Sequence, residues 1–74
     1  IPAGGLRAIR KWCGVSQLEL GKVSGYAQTT IAVWENGERA PTLAGTRAVT
    51  DAMNQIRKAR GLPGTFTLDD LFPR

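Results

Sequence analysis

Gly14-Val15-Ser16-Gln17-Leu18-Glu19-Leu20-Gly21-Lys22-Val23-Ser24-Gly25-Tyr26-Ala27-Gln28-Thr29-Thr30-Ile31-Ala32-Val33-Trp34-Glu35-Asn36-Gly37 is the stretch that decides the fold. Ser16 with Glu19 three residues later is a capping-box pattern, in which each side chain satisfies an orphan backbone N–H at a helix start. Val15, just ahead of the cap, is placed to act as a hydrophobic staple. The helix opened there carries Leu20 and Val23 inward, and Gly25 sits where a left-handed residue ends it. A tight Gly25-Tyr26-Ala27 connection follows, with Ala27 a weak cap because it has no side-chain acceptor. Ile31 and Trp34 then share a face one turn apart, so another short helix runs to Asn36-Gly37.

Working outward, Leu6, Ile9 and Cys13 fall at helical spacing before Gly14 and predict a first helix over residues 5–13. Glu38 to Pro41 reads as a loop, after which Thr42 caps a long fourth helix over about residues 42–60. Its apolar stripe is Val49, Ala52, Met53, Ile56 and Ala59, and Gly61 breaks it. A Gly- and Pro-bearing loop leads to Thr67 and Asp70, a second capping pattern, and to a short last helix over 68–72 holding Leu68, Leu71 and Phe72. Leu20, Ile31, Trp34, Leu43 and Val49 are expected in the core. Trp12 lies off the Leu6, Ile9, Cys13 stripe; packing at an edge, facing a partner chain and covering the fourth helix all stay open. The expectation is a compact, all-α, five-helix fold in a single domain over residues 1–74.

Seventy-four residues, of which 42% are hydrophobic and 22% charged, suit one folded domain and not a disordered chain. The formal net charge of +4 favours an anionic partner, because clustered Lys and Arg release counterions when they meet phosphates. Arg57, Lys58 and Arg60 form either a second basic patch or, as we expect, a solvated face. With no His and a single cysteine, Cys13, there is neither a Cys–His zinc site nor an internal disulfide, which suggests a reducing, cytoplasmic setting. Nucleophile–His catalytic pairs are excluded for the same reason, and Asp69-Asp70 reads as the acidic first turn of a helix. No enzyme function, metal or cofactor is expected. No apolar run approaches the roughly 18 residues of a membrane span. The chain opens on Ile1-Pro2 without an initiator Met, as a piece of a longer protein would.

Two short helices joined by a Gly-bearing turn, here about residues 16–36, make a unit whose second helix fits the roughly 12 Å wide major groove of DNA. At Gly14-Val15-Ser16-Gln17, Glu19-Leu20, Gly25, Thr30-Ile31, Trp34-Glu35-Asn36-Gly37, Pro41 and Leu43 the chain resembles the Cro and phage-repressor type of helix-turn-helix domain, the Xre family. The resemblance implies a lambda-repressor-like fold and sequence-specific binding of double-stranded DNA by a bacterial or phage transcriptional regulator. It also implies a homodimer on a palindromic operator. An antitoxin or restriction-modification controller with a protein partner, or an interaction module that kept the fold, is the alternative.

By resemblance, Gln28 and Thr29 open the helix that meets base edges, with Ala32 leaving room for close approach and Val33 on the same outward face as Thr29. Gln pairs bidentately with adenine, which makes Gln28 the leading base reader; Val33 is either a contact to a thymine methyl or an ordinary exposed valine. Gln17, at a helix N-terminus that favours an anion, matches a phosphate contact, as do Thr30, Asn36 and Arg39. Arg10 and Glu35 match an ion pair bridging the first and third helices, with Arg10 also near a phosphate. Gly21 stands where the family more often has Ala, which costs helix propensity, and the fourth helix and following loop are longer than usual.

Overall fold

The computed structural model describes residues 5–72, and these form five helices: α1 Gly5–Cys13, α2 Gln17–Ser24, α3 Gln28–Asn36, α4 Leu43–Ala59 and α5 Leu68–Leu71. There is no strand among the described residues. The central hairpin of helices, α2 and α3, leans on α4, while α1 packs across α5 and the tail of α3. Ile9, Leu20, Ile31, Val49, Met53 and Leu71 are fully enclosed where these surfaces meet, joined by Leu6, Cys13, Val15, Ala52, Ile56 and Phe66. In so thin a core, truncating one of the large aliphatic side chains to Ala removes about 2–5 kcal/mol.

Three sequence expectations for the inward-facing residues do not hold. Leu43 is 62% exposed. It lies two residues before Gly45 and nine before Ala52, on the opposite side of α4 from the buried face, at 100° per residue. The inward place in that first turn is taken by the Trp34 indole, so close that a Cβ on Gly45 would fall 2.6 Å from it. Val23 is 42% exposed, because the face of α2 that turns inward is centred on Leu20, Gly21 and the half-buried Ser24. Ala59, the last residue of α4, is exposed as well.

The caps differ in one respect. At α5 the box is complete: Asp70 N donates to Thr67 Oγ1 at 3.3 Å and Thr67 N to Asp70 Oδ2 at 2.8 Å. At α2 only half forms, with Glu19 N donating to Ser16 Oγ at 3.0 Å. The Glu19 carboxylate is drawn away by Arg60, whose Nη2 donates to both its oxygens at 3.2 and 3.0 Å. Arg60 Nη1 also donates to the Cys13 carbonyl, and Arg57 Nη1 to the Leu62 carbonyl at 2.8 Å. Arg57 and Arg60 are therefore neither a basic patch nor merely solvated: they stitch the end of α4 to its own loop and to the α1–α2 corner.

The longer fourth helix and its loop are anchored by Asn54. Its Nδ2 donates to the Phe66 carbonyl at 3.0 Å and its Oδ1 accepts from Phe66 N at 2.8 Å, which pins the returning chain as a β-ladder partner would. Trp12 packs at an edge, meeting the ring of Phe66 at 6.2 Å and 85° while staying partly exposed.

Candidate functional site

The turn between α2 and α3 is tight because Gly21 has no side chain. Gly25 N and Tyr26 N both donate to the Gly21 carbonyl, at 2.8 and 3.1 Å, and a Cβ on Gly21 would fall 2.6 Å from the Tyr26 carbonyl oxygen. The glycine that costs helix propensity is thus what lets the chain reverse this closely. Gly25 completes the reversal at φ 86°, a left-handed conformation that residues with a Cβ rarely adopt.

Spacing and burial together orient α3. Ile31 is fully buried and Trp34 half-buried, the latter between Tyr26 (ring centroids 5.0 Å apart) and Phe72 (6.4 Å). The opposite stripe is Thr29, Ala32, Val33 and Asn36, at i, i+3, i+4 and i+7. Gln28 and Thr29 are exposed, and Thr30, Ala32 and Val33 are half-buried. Ala27 caps nothing with its side chain, and neither Gln28 nor Thr29 spends its side chain on a hydrogen bond to the described residues. Thr29, Thr30, Val33, Glu38 and Arg39 line one shallow depression.

The tail of α3 is held by Glu35, whose side chain is 0% exposed. Arg10 Nε donates to its Oε2 at 2.6 Å and Arg10 Nη2 to its Oε1 at 3.2 Å; Gln17 Nε2 donates to Oε1 at 3.1 Å and Arg7 Nε at 3.3 Å. Arg10 Nη1 adds a bond to the Val15 carbonyl at 2.8 Å. Two helices, α1 and α2, therefore converge on one carboxylate of α3, and Arg10 ties the α1–α2 corner to the same cluster. Burial alone would push the Glu35 pKa up, but hydrogen bonds from Arg10, Gln17 and Arg7 and the Arg10 charge outweigh it and hold the carboxyl below its ordinary value. Burial pushes the Cys13 thiol up, against the opposing charges of Arg60 and Arg57.

The structure brings Gln17, Arg10 and Glu35 together, leaves Gln28 and Thr29 at the leading end of α3, and sets Arg39 exposed on the loop after α3, beside Thr29, Thr30 and Val33. Asn36 is not free: its Oδ1 accepts from Arg7 Nη2. Arg7 is the residue that sequence reasoning missed. The signal was there, since it precedes Arg10 by three residues and so shares its face of α1. Among the described residues no group of three or more His, Cys, Asp or Glu could hold a metal, and no helix is long and apolar enough to cross a membrane.

A family model described as helix-turn-helix matches residues 6–44, more than half of the 74. Comparison with curated proteins gave no match, and neither did comparison with solved structures.

Proposed function

Because the chain belongs to the helix-turn-helix family of the Cro and phage-repressor type, whose domains bind DNA, we propose that it is a sequence-specific transcriptional regulator reading duplex DNA with the leading end of α3. The observation that carries this is the pair Gln28 and Thr29, exposed and without side-chain hydrogen bonds among the described residues, on a helix anchored by Ile31, Trp34 and Glu35. A side chain left unsatisfied on a rigid scaffold is available for base edges. On this reading Gln28 pairs with adenine, and Thr29, Ala32 and Val33 meet the groove at short range. Gln17, Thr30, Asn36 and Arg39 brace the sugar-phosphate backbone. Arg10 acts chiefly through Glu35, since each of its three guanidinium nitrogens is engaged there or on Val15 and its side chain is only 12% exposed. The domain binds as a homodimer to two half-sites about one helical turn apart, which makes the operator palindromic and the role repressor-like.

Selection from random duplex DNA tests the reading. Wild-type protein enriches a palindrome; Gln28→Ala loses preference at one position per half-site, a loss of about 1–3 kcal/mol, while Arg39→Ala weakens all sequences alike. An unchanged selected site in Gln28→Ala would remove Gln28 from the base-reading role. Failure of the wild type to bind any duplex at low salt would end the proposal.

A further inference from the structure

We propose that Arg7 is a further DNA-backbone contact, stationed by Glu35 and Asn36 so that its guanidinium and the Asn36 amide present donors to one phosphate. The inference rests on the DNA-binding reading above.

Glu35 does not need Arg7 for its neutralisation. Arg10, with a side chain only 12% exposed, already supplies two hydrogen bonds and the compensating charge, and Gln17 supplies a third bond. Arg7 is 49% exposed and adds one longer contact of 3.3 Å, so the pair Arg7 and Arg10 against Glu35 leaves one surplus positive charge at the tail of α3. A guanidinium has five N–H donors in a fixed fork. Here Nε faces Glu35 and Nη2 faces Asn36, which leaves Nη1 and the outward hydrogens for solvent or a ligand.

The contact with Asn36 orients the ligand-binding side. With Oδ1 of Asn36 accepting from Arg7, the amide directs its NH2 away from that contact, so the remaining hydrogens of both side chains are donors for a ligand. Asn36 belongs to the outward stripe of α3, and Arg7, Asn36 and Arg39 line one groove, whose lining also includes Asp69 and the Glu35 that holds Arg7. An acceptor-only, anionic group complements the paired donors of Arg7 and Asn36, and a phosphodiester is that group in duplex DNA.

Binding of a random duplex by the full chain, measured across a salt series, tests this. Arg7→Gln should bind more weakly at moderate salt and lower the slope of log K against log[salt] by about 0.9, one phosphate contact. Its melting temperature should stay within a few degrees of wild type, since Arg10 still holds Glu35. Arg7→Lys, which keeps the charge, should keep the wild-type slope. Phenylglyoxal labelling of wild-type protein, read by mass spectrometry, gives an independent readout that needs no variant: duplex DNA should protect Arg7. An unchanged slope and affinity in Arg7→Gln, or equal labelling of Arg7 with and without DNA, overturns the inference while leaving the DNA reading intact. A wild type that binds no duplex overturns that reading itself.

Discussion

Replacing Glu35 by Gln keeps the shape of the side chain at the centre of the bundle and removes only its charge. The Arg10 guanidinium, 12% exposed, then faces a neutral amide, and one of the amide positions turns N–H groups toward the donors of Arg10, Gln17 and Arg7. Breaking a buried pair on one side costs about 3–5 kcal/mol, and the partial exposure of Arg10 places this case at the lower end, about 3 kcal/mol. A chain of this length has roughly 4–11 kcal/mol of stability in all, and each kcal/mol shifts the melting temperature by about 4–8 °C. The midpoint should therefore fall by more than 10 °C in thermal unfolding followed by circular dichroism at neutral pH.

The pH dependence gives the second half of that test. The Glu35 carboxyl has its pKa lowered in the folded chain, so its stabilising effect is present above the ordinary carboxylate pKa and is lost as pH falls through the lower, folded value. Wild-type stability should drop on acidification below the ordinary carboxylate range, and the difference between wild type and Glu35→Gln should shrink with it. A double replacement, Arg10→Met with Glu35→Leu, removes both charges and should be closer to wild type than either single change. Equal melting temperatures for wild type and Glu35→Gln at neutral pH, or parallel acid profiles, would refute the assignment of Glu35 as the clamp on α3.

Gly21→Ala should destabilise the fold, against the roughly 1 kcal/mol gained in helix propensity, because its Cβ meets the Tyr26 carbonyl at 2.6 Å; a melting temperature above wild type would show that the turn relaxes. Asn54→Ala leaves the buried Phe66 backbone groups unpaired, a loss of about 1–3 kcal/mol, and should raise amide exchange at Phe66 before the rest of the core opens. Glu38 lines the depression shared by Thr29 and Arg39, so Glu38→Gln should tighten binding to duplex DNA of any sequence at low salt; weaker binding would place that depression away from the phosphates.

Helix existence and order were legible because the information is local: Ser16, Gly25, Gly37, Thr42, Thr67 and Asp70 punctuate the chain and the apolar spacings fall between them. Which face of a helix turns inward was less so. Val23 and Leu43 are at helical spacing from core residues, but inward facing depends on what occupies the space: the small Gly21 and Ser24 in one case and the Trp34 indole over Gly45 in the other. Half of the Ser16–Glu19 box was lost to Arg60, forty-one residues away, and no local pattern records such a competitor. Arg10 with Glu35 was suggested by resemblance, whereas Arg7 and Asn54 act through distant partners and carry no motif of their own. The outward stripe of α3 was suggested by resemblance, and periodicity agreed with it in one respect, since Thr29 and Val33 lie four residues apart.

A short helix also makes remote contacts matter for reading. Nine residues at 1.5 Å each make α3 about 14 Å long, so a tilt of about 10° at its tail displaces the leading end by about 2 Å. Hydrogen bonds to base edges tolerate far less than that, with heavy-atom distances confined to roughly 2.7–3.2 Å. On the proposed reading, the groups that fix the tail and middle of α3 therefore govern base preference without touching DNA. These are the Glu35 carboxylate held by Arg10 and Gln17, and the Trp34 indole seated on Gly45 between Tyr26 and Phe72. On the same proposed reading Gln17 would join the two functions: one amide hydrogen goes to Glu35, and the other is left for a phosphate. Contact with the backbone and orientation of the reading helix are then coupled through a single buried carboxylate.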